Sequence, residues 1–180
     1  MSSKIEIIFL GGNSKDNLIW IENVAKSFLD SVKAINIVNY KHWQNKSPII
    51  NIDYESAKLS ELASNKDDFC IFAKSAGCLV ALNAILKYAL RPGKCVFIGF
   101  PLNWAVENSI KPSPEELFSS YSVKTLFIQK EADPICPAPK LNEFISKHCA
   151  SFSFCEIPGS SHHYEDLQLL KSKTLDFINS

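Results

Sequence analysis

Short apolar runs alternate with segments of helical periodicity along the whole chain, and this alternation constrains the fold more than any other feature. The helical spacing covers Asn17–Asp30, Glu55–Asn65, Ala76–Leu90, Pro139–Cys149 and Tyr164–Ile178, with one more helix capped by Ser113. Six apolar runs have the length of buried strands: Ile5–Leu10, Ala34–Asn39, Asp68–Ala73, Cys95–Gly99, Val123–Gln129 and Ser151–Ile157. Strands that are apolar on both faces and alternate with helices predict a parallel sheet covered on both sides. We therefore expect one α/β domain over residues 1–180, a three-layer α/β/α sandwich around a mostly parallel six-stranded sheet.

The composition favours a chain that acts on a small molecule. Its 180 residues are 46% hydrophobic, enough for one sizeable core, and 19 basic residues balance 19 acidic ones without a basic run. The charge pattern therefore lacks the footprint of a nucleic-acid-binding protein. The N-terminal apolar run is shorter than that of a signal peptide, and Asn83 and Lys87 interrupt the apolar stretch Ala76–Leu90. We expect a soluble, cytoplasmic protein that has no membrane partner.

The six cysteines show neither a C-x-x-C pair nor the paired spacing of zinc ligands. Cys70, Cys95 and Cys155 lie inside predicted strands, where a thiol acts as a small apolar group. We expect reduced, structural cysteines and no metal, which also favours the cytoplasm.

Two segments show no clear periodicity. The stretch from Tyr40 to Tyr54 is polar, aromatic and proline-containing, so we expect a loop there. The stretch from Phe100 to Ser113 follows the fourth strand and is also expected to be irregular. In parallel sheets of this kind, ligands bind at the carboxyl ends of the strands, so functional residues should directly follow a strand.

The turn after the third strand carries the first chemical signal. Its sequence, Ala73-Lys74-Ser75-Ala76-Gly77, stands between a buried strand and a helix. It resembles the G-x-S-x-G nucleophile elbow of the α/β-hydrolases, with alanine in place of the first glycine. The sharp turn requires small residues two positions before and after the serine. The alternative is that Ser75 serves only as a helix N-cap.

An acid and a base follow later strands in the order that the α/β-hydrolase resemblance implies. Asp133 follows the fifth strand, with Glu131 as a less favoured substitute and a plain Asp-Pro turn as the alternative. His162 follows the sixth strand, with His163 as second choice and two solvated loop histidines as the alternative. The resemblance implies Ser75 as nucleophile, His162 as base and Asp133 as acid.

The resemblance also implies an oxyanion hole, the pair of N–H donors that binds the charged oxygen of the reaction intermediate. One donor is the N–H of Ala76, at the start of the helix after the elbow. The second comes from the loop after the first strand, where Gly12 and Asn13 are the candidates. A phosphate-binding loop is the rival interpretation of this glycine pair. However, neither the G-x-G-x-x-G nor the G-x-x-x-x-G-K-[ST] pattern is present.

A substrate-binding wall is expected beside the elbow. In α/β-hydrolases a cap follows the fourth strand, and only the short segment 100–111 could serve here. Phe100, Leu102 and Trp104 either line the acyl site or pack into the core, and Lys74 favours a polar or anionic group unless it is simply exposed. The expected function is hydrolysis of a small carboxylic ester without a cofactor. The alternatives are a catalytically silent binding protein of the same fold and a flavodoxin-like module.

Overall fold

The computed structural model describes residues 5–45 and 48–180. The strands are β1 Glu6–Leu10, β2 Ala34–Ile37, β3 Phe69–Lys74, β4 Lys94–Ile98, β5 Thr125–Lys130 and β6 Phe152–Ile157. The helices are α1 Asp16–Ser27, α2 Lys41–Asn45, α3 Ile52–Ala63, α4 Ala76–Lys87, α5 Leu102–Glu107, α6 Pro114–Phe118, α7 Ala138–His148 and α8 Leu167–Ile178. Each of the six predicted strands is present.

The six strands form one sheet in the order β2-β1-β3-β4-β5-β6, and every pair is parallel. The chain passes from β1 to β2 on one side and then crosses to β3 on the other side of β1, so the direction of the strand order reverses there. The loops after β1 and β3 therefore leave neighbouring strands at the same edge of the sheet. In parallel sheets this switch point is where a ligand crevice forms. The predicted α/β architecture is confirmed, and the sheet is parallel throughout.

Alternating side chains of each strand pack on opposite faces, which produces two cores. On β3, Ile71 and Ala73 face a core shared with α3, α4, α6 and α7. Cys70 and Phe72, on the same strand, face a core shared with α1 and α8. The central strands are buried on both sides, which explains why their sequences read as continuous apolar runs.

The two segments expected to be irregular each contain a helix. Helix α2 lies within the predicted loop 40–54, and α3 begins at Ile52 because the side chain of Asn51 caps it by accepting from the N–H of Tyr54. Helix α5 lies within the predicted irregular segment 100–113. These helices are short or begin at a cap, so their periodicity is weak in sequence.

The last helix starts three residues later than predicted. Asp166 caps it by accepting from the N–H of Leu169, which leaves the segment before it as a loop. At the far edge of the sheet, Cys155 is only partly buried because β6 has a neighbour on one side alone. All six cysteines are unpaired. Within residues 5–45 and 48–180, no helix has both the length and the apolar character needed to cross a bilayer.

Candidate active site

The turn between β3 and α4 holds Ser75 in a strained conformation. Its φ of 52° lies in the left-handed region, which is unusual for a residue with a side chain. The N–H of Ser75 donates to the carbonyl of Ile98 at 2.9 Å, which fixes the turn against β4. A Cβ on Gly77 would lie 2.6 Å from the carbonyl oxygen of Gly11. The small residue after the elbow therefore lets α4 approach the loop that follows β1.

Ser75, His162 and Asp133 form one chain of hydrogen bonds. Ser75 Oγ lies 3.0 Å from His162 Nε2, and His162 Nδ1 lies 2.9 and 3.0 Å from the two oxygens of Asp133. Asp133 is fully buried, whereas Ser75 and His162 are half-buried and reach the surface of a cavity. This geometry allows the imidazole to take the serine proton while the carboxylate holds the opposite ring nitrogen.

Asp133 is kept ionised by its surroundings. Burial alone would raise the pKa of its carboxyl group, but hydrogen bonds from His162, from the N–H of Ile135 and from the Tyr164 hydroxyl outweigh this and lower it. The Tyr164 hydroxyl lies 2.8 Å from Asp133 Oδ2 and itself accepts from the N–H of Lys130. Burial raises the pKa of Tyr164 far above its usual range, so the phenol remains a donor.

The loops that carry the acid and the base are joined by backbone hydrogen bonds. Glu131 N–H donates to the carbonyl of Ile157 at 2.9 Å, and Ala132 N–H donates to that of Gly159 at 3.0 Å. The two rejected candidates, Glu131 and His163, are both exposed and make no contact with Ser75. The structure thus brings together Asp133 and His162, which were the first choices.

Gly99 makes room for the histidine. It directly follows β4, has a φ of +57°, and its N–H donates to the carbonyl of Ile128. A Cβ at this position would lie 2.8 Å from Tyr164 Cε2 and 3.0 Å from His162 Cε1. The imidazole and the phenol ring therefore occupy space that exists only because residue 99 has no side chain.

The loop after β1 is held by hydrogen bonds on the Asn13 carbonyl and side chain. His42 Nε2 and Trp43 Nε1 lie 2.6 and 3.1 Å from the carbonyl oxygen. The side-chain oxygen accepts from Ile50 N–H at 2.8 Å, and the side-chain amide donates to the carbonyl of Pro48. This framework fixes the orientation of the peptide that precedes Ser14.

Two of the three residues expected to form the oxyanion hole line the cavity of Ser75. Asn13 and Ala76 both line the cavity that contains Ser75, and in the described part of the chain their N–H groups donate to no protein acceptor. Gly12 is not among the residues of the cavity wall, and a Cβ on it would lie 2.9 Å from the side-chain oxygen of Asn17. Of the two candidates in this loop, Asn13 is the one that lines the cavity.

Lys74 is buried, which corrects the expectation that it is exposed. Only 5% of its surface is accessible, and its Nζ donates to the side-chain oxygen of Asn17 at 2.7 Å. The ammonium also lies 5.0 Å from the centre of the Trp20 ring. Burial lowers the pKa of Lys74 to about 8, and the negative charge of Asp133 partly opposes this shift.

The cavity beside Ser75 measures about 210 Å³, and its wall includes two of the four predicted substrate-binding residues, Lys74 and Trp104. Phe100 and Leu102 belong to the core instead, which corrects that prediction. Phe100 lies against the aromatic rings of the core because the peptide after Gly99 turns inward, where its N–H donates to the Gln129 side chain at 2.8 Å. Besides Trp104, the apolar residues of the cavity wall are Ala76 and Ile135.

Sequence reasoning missed three supporting residues: Tyr164, Gly99 and His42. A signal existed for Gly99, since a glycine ending a strand often allows a close backbone approach. The helical spacing predicts Tyr164 at the start of the last helix, and the polar composition of residues 40–54 predicts a loop around His42. His42 is in fact buried against Tyr40 and Trp43.

Among the described residues, no group of three or more His, Cys, Asp and Glu side chains could hold a metal ion.

Known structures share this architecture over nearly the whole chain. A protein from Bacillus cereus superposes with a TM-score of 0.76 at 20% identity, covering 100% of this chain and 62% of its own. A cold-adapted esterase from an Arctic intertidal metagenomic library gives 0.68 at 12% identity, covering 99% and 82%. A peroxisomal α/β-hydrolase from Saccharomyces cerevisiae gives a TM-score of 0.68 at 13% identity, covering 98% of this chain and 77% of its own.

These likenesses show that the chain has the α/β-hydrolase fold. The chain spans less than two thirds of the Bacillus cereus protein, so that protein carries additional length. No family model matches this sequence, and no curated protein sequence does.

Proposed function

We propose that the protein is a serine hydrolase that cleaves a small carboxylic ester through Ser75, His162 and Asp133. The observation that carries the proposal is the continuous hydrogen-bond chain from Ser75 Oγ through the imidazole to the buried carboxylate. A serine hydroxyl becomes a useful nucleophile when a base accepts its proton and a third group orients that base. The esterase among the superposed structures also supports this class of activity.

The reaction proceeds in two steps. His162 takes the proton of Ser75 as its oxygen attacks the ester carbonyl, and the tetrahedral oxyanion accepts hydrogen bonds from the N–H groups of Asn13 and Ala76. The protonated imidazole then donates its proton to the leaving alkoxide, which departs and leaves an acyl-enzyme. Water attacks this ester with His162 as base again, and the acid product and free Ser75 result.

Two properties of the cavity also support this proposal. The wall of the cavity contains Asn13 and Ala76, whose N–H groups are the proposed oxyanion donors, and the apolar residues Trp104 and Ile135, which suit a short acyl chain. Its volume of about 210 Å³ suits a small ester rather than a long lipid chain.

The six unpaired cysteines support a cytoplasmic location.

The test combines turnover with covalent labelling. Wild-type protein should hydrolyse p-nitrophenyl acetate and react with a fluorophosphonate probe, which modifies activated serines. Ser75→Ala should lose both signals, whereas Ser14→Ala, which changes another serine of the cavity wall, should still be labelled. Equal labelling of wild type and Ser75→Ala would refute the assignment of the nucleophile. Absence of labelling and turnover in wild type would favour a catalytically silent binding protein.

A further inference from the structure

The proposed mechanism leaves one charged group of the cavity without a role. Lys74 precedes the nucleophile, lies at the end of a central strand and is one of the residues that line the cavity. Placing an ammonium where only 5% of the residue is accessible is costly unless its charge is compensated. A buried charge beside a reactive serine therefore requires an explanation.

The protein compensates this charge only in part. The Asn17 side-chain oxygen accepts one hydrogen bond at 2.7 Å, and the Trp20 ring provides a cation–π contact. An ammonium has three N–H donors. Among the described carboxylates, none forms an ion pair with Lys74. The negative charge of Asp133 favours the ammonium at longer range, but the oxygens of Asp133 are already hydrogen-bonded to His162, Ile135 and Tyr164.

Two polar side chains of the cavity are linked to this ammonium by hydrogen bonds. Asn17 and Ser14, which are hydrogen-bonded to each other at 2.7 Å, line the cavity together with Lys74. Trp104 and Ile135 supply apolar surface in the same cavity. A ligand that matches this lining has one anionic group and one short apolar part, with a carbonyl that reaches Ser75.

We propose that Lys74, with Asn17 and Ser14, forms an anion subsite that selects esters bearing a carboxylate a few bonds from the scissile carbonyl. This inference rests on the proposed serine hydrolase function and names its substrate class, the half-esters of short dicarboxylic acids and related carboxylate-bearing esters. The substrate carboxylate supplies the counter-ion that Lys74 lacks in the protein. Burial lowers the pKa of Lys74, and the charge of Asp133 opposes this shift only in part, as expected for an ammonium without a directly bound counter-ion.

The test compares pairs of esters of similar size, of which one member carries a carboxylate and the other does not. One pair is 4-nitrophenyl hydrogen glutarate against 4-nitrophenyl pentanoate, which places the carboxylate on the acyl side. The other pair is 4-carboxyphenyl acetate against 4-acetylphenyl acetate, which places it on the leaving group. In at least one pair, wild-type protein should show a kcat/KM at least about tenfold higher for the anionic ester, as expected for a paired buried charge. The pair that shows the preference identifies the side on which the carboxylate binds.

The variants assign the preference to Lys74. In Lys74→Met the ratio of the two kcat/KM values should fall about tenfold or more, towards one. Lys15→Met is the matched control, because Lys15 is exposed, lies close in sequence to the subsite and is not part of its wall, so its ratio should equal that of wild type. If Lys74→Met does not fold, Lys74→Gln replaces it, since glutamine retains a donor for Asn17 without the charge.

The outcomes separate this inference from the function on which it rests. Ser75-dependent turnover with no anionic preference in either pair, or a preference that Lys74→Met and Lys74→Gln retain, would overturn the anion subsite and leave the hydrolase intact. If the wild-type protein turns over none of these four esters and no p-nitrophenyl acetate, and does not react with the fluorophosphonate probe, the proposed function is wrong. Calorimetry then decides the subsite, because wild type should bind methyl hydrogen glutarate at least about tenfold more tightly than methyl pentanoate. Equal binding would overturn it.

Discussion

The Tyr164 hydroxyl donates a hydrogen bond to Asp133 Oδ2 at 2.8 Å, on a carboxylate that also holds the imidazole of His162. This places a buried phenol directly behind the acid of the proposed triad. The hydroxyl makes no hydrogen bond to Ser75, since its other hydrogen bond is to the N–H of Lys130. Its influence on activity would therefore act through the position and charge of Asp133.

Tyr164→Phe tests this relationship. The change removes a hydrogen bond to a charged group, so the free energy of unfolding at neutral pH should fall by about 1.5–3 kcal/mol. The kcat/KM should fall about tenfold, equivalent to about 1.4 kcal/mol of transition-state stabilisation. Urea titrations and ester kinetics measure both effects. Tyr88→Phe is the matched control, because Tyr88 donates to Asp53 at 3.0 Å on an exposed surface, and its activity should be unchanged.

The same variant has a pH signature. Because the pKa of Asp133 is lowered in the folded protein, its ionisation stabilises the fold above the unfolded-state pKa, and this stability is lost as pH falls through the folded value. Without the phenol the folded pKa rises, so the loss should occur at a less acidic pH in Tyr164→Phe. Unfolding measured between about pH 1 and 5 follows this shift. Identical acid profiles would argue that Tyr164 only fills space.

His162 and His163 provide a comparison between adjacent imidazoles. His162→Gln should lower kcat for p-nitrophenyl acetate by at least about a thousandfold, because the serine loses its base. His163→Gln should stay within about twofold of wild type, since its side chain is exposed and only its carbonyl takes part in a contact, accepting from Lys130 Nζ. A large loss in His163→Gln with an active His162→Gln would reverse the assignment of the base.

The strands and the first-choice residues could be predicted because their signals are local. Ser75 stands between an apolar strand and a helix, and Asp133 and His162 each directly follow a strand. Once the sheet is parallel, the carboxyl ends of its strands meet at one edge, so the sequence positions already imply that these residues approach one another. The hydrogen bonds between them, at 2.9–3.0 Å, agree with that inference.

The environment of these residues could not be predicted in the same way. Lys74 is buried because Asn17 and Trp20, which precede it by more than 50 residues, supply its acceptor and its ring contact. His42 is buried because it lies close to the Asn13 carbonyl, 29 residues earlier. Such contacts depend on how loops fold over the edge of the sheet, and no periodicity or short motif records them. The inward packing of Phe100 has the same origin, since it depends on the Gln129 side chain of a neighbouring strand.

Gly99→Ala should disturb both stability and activity. The added methyl group would lie 2.8 Å from the Tyr164 ring, and alanine is strained at a φ of +57°. Together these effects should lower the free energy of unfolding by about 2–4 kcal/mol. Because the displaced groups are Tyr164 and His162, kcat should fall as well.

Gly93→Ala is the control for this substitution. Its added methyl group would first meet Asp68 Oδ1 at 3.0 Å, on an exposed side chain that can move aside. We expect this variant to remain within about 1 kcal/mol of wild type in thermal or urea unfolding and to keep its activity. If Gly99→Ala behaved like Gly93→Ala, the close approach of His162 to the β4 strand end would not matter for the site.

Lys74→Met should stabilise the protein at neutral pH, in contrast to its expected effect on substrate choice. Burial lowers the pKa of Lys74 to about 8, with Lys130 adding to the shift and Asp133 and Cys78 opposing it. Relative to an ordinary lysine near 10.4, the charged form is penalised in the folded state by up to about 3 kcal/mol. The Asn17 oxygen that loses its donor offsets about 1–3 kcal/mol of this gain, so the net stabilisation is at most about 2 kcal/mol.

The sign of the pH dependence distinguishes this charge effect from a packing effect. Below about pH 8 both folded and unfolded wild type carry the Lys74 proton, and the penalty is complete. Between that pH and the unfolded value the folded protein has released the proton while the unfolded chain still binds it, so wild-type stability gains relative to Lys74→Met. The advantage of the variant should therefore shrink steadily as pH rises from about 8 to 10 in urea unfolding. Lys15→Met, which removes an exposed charge, should show no such trend, and a constant difference for Lys74→Met would mean that its effect arises from packing alone.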